Sequence, residues 1–427
     1  MLVRSLAALA AVLMIAACGQ PRPAAEQGPV CKSMATQGHL PEPWPDITPD
    51  SLHELHRQTL VAGAPQVLAD VKAATFRAKV AAQAEARRKG MMQPPATQIL
   101  SVSAGGAWGA FSIGFLDGWG KNPGTDRRPK FDVVTGVSTG SMIAPAIFLG
   151  DEALIQKLRI FYASLRDSDV YTQRPFYSLL NSTSLFDTSP LRAKVNALLT
   201  TEMVERLAAE NDTRTLAVMA TNLDSGVPEV FDLTAIAADT RLTLEQRRLR
   251  IISAVMASSA EPIAFPPEPI DGNLYVDGGL RLHVFFTQEL LAALDSHPVD
   301  ISVVVSGDMA VTRECTGLNG LGLLAIVGRT ASIAIDQLLR TSVQGLLAVG
   351  TKPGNKARMI NAAPLIYYGN ELPSGTPRPP CSLSESLFDP VFGDCLVRNG
   401  TDMGMAQPVP WKLQIEGGRQ LRISALR

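Results

Sequence analysis

Ser138 stands at the centre of Gly136-Val137-Ser138-Thr139-Gly140, directly after the apolar run Phe131-Asp132-Val133-Val134-Thr135. A buried strand, a sharp turn and a helix opening at Thr139-Gly140-Ser141-Met142-Ile143-Ala144 make the setting of a nucleophile elbow. The turn is tight and its backbone strained, so small residues are needed two positions either side of the serine. It lifts the hydroxyl clear of the sheet and sets it beside a helix N-terminus, where developing negative charge is favoured. In a chain with 34 glycines the bare pentapeptide also arises by chance. Its strand–turn–helix setting is what gives it weight.

A serine nucleophile needs a base. The chain has five histidines. His39, His53 and His56 lie in an N-terminal arm, and His297 sits in a polar Ser-His-Pro loop. His283 follows Asp277 by six residues, too close for the usual separate loops of an Asp–His pair, yet a histidine-dependent esterase using His283 stays open as a further reading. Asp277 itself is the other candidate. It ends the short strand Asn273-Leu274-Tyr275-Val276-Asp277 and is followed by Gly278 and Gly279. A carboxylate held there can take the serine proton directly, and does so better when partial burial raises its pKa. Asp-Gly is also a common turn, in which the carboxylate bonds its own loop. Local sequence leaves both readings open.

Attack on an ester also calls for oxyanion donors. Gly105-Gly106-Ala107-Trp108-Gly109 lies between the strand Thr97–Ser103 and a helix from Ala110 to Trp119. Without intervening side chains, the backbone N–H groups of Gly105, Gly106 and Ala107 can converge on one point. A nucleotide- or phosphate-binding loop is the competing reading. The stretch completes no G-x-G-x-x-G and holds no Gly-Lys-Ser/Thr pair.

The elements that must position these blocks alternate strand and helix. Leu216–Leu223 and Pro228–Asp232 read as a hairpin turning at Asp224-Ser225-Gly226. Ile251–Ser258 reads as helix, Asp300–Gly307 as a strand buried on both faces, and Leu321–Val349 as a long amphipathic helix. The pattern predicts an α/β fold with a largely parallel central sheet. Residues 51–95 read as a helical arm: Ser51 and Glu54 form a capping box, Pro65 interrupts, and Gly90 stops the helix after Arg87, Arg88 and Lys89.

Composition bounds the rest. Of the 427 residues 46% are hydrophobic and 19% charged, which suits a substantial core. The formal net charge of -1 gives no electrostatic case for a nucleic-acid partner. Residues 1–17 read as a signal peptide: Arg4 precedes an apolar run too short to span a bilayer, and Ile15-Ala16-Ala17-Cys18 ends it. Small residues before Cys18 resemble the bacterial lipobox, which implies a lipidated Cys18, a tether over 18–50, and an exported protein held on a membrane, with Gly19 permitting the outer membrane. An ordinary signal peptide cut after Ala17 is the alternative. Cys31, Cys315, Cys381 and Cys395 remain; Cys381–Cys395 would close a short loop in a Pro-rich region, and Cys31–Cys315 would tie the N-terminal segment to the body. Buried free thiols would fit the same count.

Taken in order, Ser103–Gly109, Gly136–Gly140 and Asp277–Gly279 resemble the three blocks of the patatin-like phospholipase family. Ala257-Ser258-Ser259-Ala260-Glu261-Pro262 and the hairpin at Thr221–Gly226 are similar to its flanking segments. The resemblance spans about residues 96–310, with a C-terminal part, 311–427, of helix plus strands packing on this core. It implies a three-layer α/β/α fold, a Ser138–Asp277 dyad, and hydrolysis of lipid esters through an acyl-enzyme without metal or organic cofactor. The chain departs from the family at Ala104, in place of a glycine, and at Trp108, in place of a basic residue. That altered loop motivates an alternative, a patatin-fold binding or scaffold lipoprotein with weak or lost catalysis. Pro145, inside the helix after Ser138, is expected to kink it.

Overall fold

The computed structural model describes residues 71–89, 91, 95–175, 182–285, 297–307, 309, 323–362, 370–371, 377–378, 381–382 and 386–423. The expected signal peptide, the tether, the start of the arm, Cys18, Cys31 and Cys315 lie outside these residues. The chain divides into two units. One comprises residues 1–46 and 309–340. Its described part is Met309 and the first portion of the helix Leu323–Leu347, where Arg340 Nε donates to Met309 O at 2.8 Å. The other, residues 47–308 and 341–427, carries all three sequence blocks.

Helix α1, Val71–Arg88, is the described part of the arm. Polar contacts fix it to the sheet-bearing body: Lys79 Nζ meets Asp232 and Asn211 at 2.8 Å, and Arg87 pairs with Asp132 at 3.2 Å. The last pair occupies a member of the basic cluster at the helix end.

The strands of the main sheet are β1 Thr97–Val102, β2 Val133–Gly136, β3 Thr215–Asn222, β4 Pro228–Asp232, β5 Glu268–Ile270, β6 Asn273–Asp277, β7 Val299–Val305, β8 Lys356–Asn361, β9 Leu413–Glu416 and β10 Arg419–Ile423. They form one sheet in the order β10-β9-β8-β7-β1-β2-β3-β6-β5, with β4 paired to β3. The run β8-β7-β1-β2-β3 is parallel; the outer pairings are antiparallel. Parallel strands buried on both faces read as near-continuous apolar runs, as β1 and β7 do. Helices flank this mostly parallel sheet, giving the three-layer α/β/α arrangement. The C-terminal strands join the core by extending its sheet, since β8 pairs with β7 from Lys356↔Asp300 to Asn361↔Val305.

Two features of this topology place the chemistry. From β1 the chain moves to β2 on one side, whereas β7 lies on the other. The gap beyond the C-terminal ends of β1 and β7 is therefore a switch point, where open α/β sheets bind ligands. Register then aligns two distant residues. Gly136 pairs with Val218, and Ala220 pairs with Asp277. Ser138 and Ala220 each lie two residues further along, so Asp277 comes level with the elbow across one strand.

Helices α2 Gly109–Gly120, α3 Thr139–Leu149, α4 Glu152–Ser164, α5 Ser189–Leu198, α6 Leu244–Ser258 and α7 Pro390–Met405 cover the sheet. α6 begins seven residues before the expected Ile251, because Thr243 and Gln246 form a capping box. α7 occupies part of the stretch that reads as Pro-rich and aperiodic. Pro390 sits at its first position, where no N–H is needed, and Asp389 caps it through Val391 N at 2.6 Å. α7 lies close against α2: a Cβ on Gly114 would meet Val397 O at 2.3 Å, and one on Gly404 would meet Phe115 O at 2.4 Å. The Cys381–Cys395 disulfide, with Cα atoms 5.8 Å apart, fastens this helix.

Candidate active site

The turn after β2 holds Ser138 at φ 53° and ψ −123°, a conformation that costs of the order of 1–3 kcal/mol for a non-glycine residue. Three contacts hold it there. Val137 N donates to Val102 O at 3.2 Å. Ser138 N donates to Ser258 Oγ at 3.0 Å, and that hydroxyl donates to Met219 O at 2.7 Å. Ser141 Oγ donates to Ser138 O at 2.6 Å. The flanking glycines are required by contact: a Cβ on Gly136 would lie 2.4 Å from Gly140 O, and one on Gly140 would lie 2.3 Å from Val102 O. Ser138 remains half-buried, open on one side.

Asp277 is buried, at 7% exposure. Its N–H donates to Ala260 O at 2.8 Å, and its carbonyl accepts from Thr221 Oγ1 at 3.1 Å. Oδ1 accepts from Gly279 N at 2.7 Å, and the Ser138 side chain is close enough to the carboxylate to favour its charged form. The turn reading of Asp277 is seen in the bond from Gly279, and it leaves the carboxylate beside the serine. Burial pushes this carboxyl up to about 7; the Ser138 side chain and the bond from Gly279 pull it back, and the charge of Glu261 adds to the rise. A carboxylate near neutrality is matched to taking a proton at physiological pH.

The glycine loop wraps this pair. Its start abuts the elbow, since a Cβ on Gly140 would meet Ser103 O at 2.9 Å; its end does too, since one on Gly109 would meet Thr139 Oγ1 at 2.1 Å. Ser103 Oγ donates to Ala104 O at 2.7 Å and accepts from Ser306 N at 2.8 Å, locking the loop to the end of β7. Gly105, at φ 156°, has no room for a side chain: a Cβ would fall 1.7 Å from Ser306 O. Gly106 follows at φ 52°, solvent-exposed, with nothing within 4 Å of its Cβ direction. Trp108 N–H donates to Gly105 O at 3.0 Å, whereas among the described residues nothing accepts the N–H groups of Gly105, Gly106 or Ala107. Gly279 closes the circle, its Cβ direction meeting Ala104 Cβ at 3.3 Å. Gly278 has the same closeness to the sheet, 2.4 Å from Met219 O.

Trp108 turns to α7 and packs edge-to-face on Phe392, with ring centroids 5.4 Å apart. It serves as an apolar brace for the loop. Pro145 does not end α3. With Ser141, Met142, Leu158 and Val255 it lines a small apolar cavity of about 20 Å³. His297 lies 3.3 Å from Glu85 of α1. His283 is buried beside the Asp277 turn. Sequence reasoning gave Ser258 no role, although its hydroxyl supports the Ser138 backbone; a serine in a run of small residues carries no signal of that bond.

A serine on a strand–turn–helix elbow, beside a buried carboxylate in an α/β/α sheet, places the chain among α/β proteins with an elbow of this kind. The particular family follows from comparison. Residues 100–289 match the family model described as Patatin-like phospholipase, and the chain carries a patatin-like domain there. The cGAMP-activated phospholipase of Escherichia coli (strain TW11681) is 29% identical over 201 residues, 44% of this chain and 52% of that protein. The chain thus spans about half the length of this curated relative. Among solved structures, that of VipD from Legionella pneumophila superposes with a TM-score of 0.30 at 14% identity, covering 73% of this chain and 66% of that one.

Proposed function

We propose that this protein is a serine acyl hydrolase cleaving lipid carboxylic esters, of phospholipase A or lysophospholipase type. Ser138 attacks the ester carbonyl and passes its proton to Asp277. The N–H groups of Gly105, Gly106 and Ala107 hold the oxyanion. The alcohol leaves with the proton from Asp277, and water then releases the fatty acid from the acyl-enzyme. The observation that carries this reading is the sheet register that brings buried Asp277 level with the Ser138 elbow, with the carboxyl raised to about 7.

The apolar, uncharged Trp108 brace supports a site that selects the acyl ester rather than a charged headgroup. The lipobox-like Cys18 supports lipidation and confinement to a bacterial outer membrane, close to such a substrate. Palmitate labelling that disappears in Cys18→Ala tests the anchor. A panel of phospholipids, lysophospholipids and neutral esters tests the activity. Fatty-acid release is expected from wild type and lost by a factor of the order of a thousand or more in Ser138→Ala. Folded wild-type protein that releases no fatty acid from any of them would overturn the reading.

A further inference from the structure

His283 is the buried polar side chain for which the dyad has no use. It is 7% exposed, and among the described residues neither Nδ1 nor Nε2 has a hydrogen-bond partner. Burial without a partner is unfavourable for both nitrogens, and an apolar side chain would fill the same space at no such cost. The residue is also stitched into the site. Its carbonyl accepts from Ala104 N at 3.0 Å, at the start of the glycine loop. Its ring meets the Asp277 turn: the Cβ direction of Gly279 is bounded by Asp277 Oδ1 at 3.1 Å, Ala104 Cβ at 3.3 Å and His283 Cε1 at 3.6 Å. Cε1 lies between the two ring nitrogens, so the ring meets this turn at the carbon that joins them.

Burial pushes the imidazole down to about 4, so it is neutral at physiological pH and offers one donor and one acceptor. It shares no hydrogen bond with Asp277 or Ser138, which argues against a serine–histidine base here. A neutral donor–acceptor pair beside a carboxylate suits a small polar molecule that must give up a proton.

We propose that His283 holds the hydrolytic water of the second half-reaction against Asp277. This rests on the acyl-hydrolase reading. One hydrogen of the water points to the Asp277 carboxylate and the other to the unprotonated ring nitrogen. The water oxygen bonds to the acyl carbon of Ser138 as Asp277 takes the first proton. Collapse of the tetrahedral intermediate breaks the bond from carbon to Ser138 Oγ, and Asp277 returns the proton to that oxygen. The fatty acid departs, and His283 ends as neutral as it began.

The test is a burst experiment on the full chain with p-nitrophenyl butyrate. In His283→Leu the burst, which reports acylation, is expected to stay within about twofold of wild type. Steady-state turnover is expected to fall on the order of tenfold or more, with butyryl-Ser138 accumulating by intact mass spectrometry. The melting temperature should not fall, since an unpaired polar group has been removed. His283→Asn, which restores a donor and an acceptor, should recover most of the turnover. If the leucine chain does not fold, His283→Met carries the same comparison. Unchanged steady-state turnover in the apolar variant, or burst and turnover falling together, would overturn the assignment. Wild-type protein that hydrolyses no ester would sink the acyl-hydrolase reading and the water assignment with it, so the wild-type trace separates the two failures.

Discussion

The elbow and the glycine loop are both built from glycines, yet they use them in opposite ways. At the elbow, Gly136 and Gly140 are pressed against the protein's own backbone, 2.4 and 2.3 Å from carbonyl oxygens were a Cβ present. In the loop, Gly105 is closed in the same manner by Ser306, but Gly106 opens onto empty space with a positive φ. The first kind of glycine lets the protein approach itself. The second lets something else approach the protein. An elbow packed shut beside a loop with one open glycine would, under the proposed function, give a rigid nucleophile and an accessible donor face.

The largest effect that could break this contrast is at the elbow. Gly140→Ala should abolish turnover and destabilise the fold by several kcal/mol, because backbone cannot give way as a side-chain tip can. Chemical denaturation reads it, and a well-folded, active variant would show the elbow is not closed as described. Next comes Asp277→Asn, expected to lower turnover by about 10²–10⁴-fold with folding intact. The same variant sharpens the pH account. The folded carboxyl titrates near 7 and its ordinary value is 3.8. Between them the folded chain keeps a proton that the unfolded chain has lost, so stability falls as pH rises, by up to about 1.4 kcal/mol per unit. Asn removes that loss. The variant's gain in melting temperature over wild type should therefore grow from pH 4 to 7 and level off above.

A smaller effect is expected at the open glycine. Gly106→Ala should cost about 1 kcal/mol for the positive φ, yet reduce turnover on the order of tenfold by crowding the donor face. Equal stability losses at Gly106 and Gly140 would erase the distinction. Smallest is Trp108→Phe, which keeps an aromatic brace against Phe392. It should change stability by less than about 1.5 kcal/mol, and turnover by less than the Gly106 change.

The sequence made the three blocks legible because each pairs a reactive or glycine position with a strand end. The α/β class was legible from the buried runs of β1 and β7. What it could not carry was long-range. Ser258 meets the Ser138 backbone across 120 residues, and no local pattern marks that hydroxyl. The α7 helix was hidden in a stretch read as Pro-rich; Pro390 suits its first position, where no N–H is needed. Trp108 looked like a gap in the oxyanion loop; only Phe392, far along the chain, shows it to be a brace. The spacing of His283 from Asp277 spoke against it as a base, and says nothing of two nitrogens buried without partners among the described residues.

The central claim is that Asp277 activates Ser138. It is tested most directly by the rate of fluorophosphonate labelling as a function of pH, with the modified residue located by mass spectrometry. The account predicts labelling at Ser138 that rises with pH through a midpoint near 7, is absent in Ser138→Ala, and loses its pH dependence with a large drop in rate in Asp277→Asn. Labelling of Ser138 that proceeds at the same rate, with the same pH profile, in Asp277→Asn would contradict it.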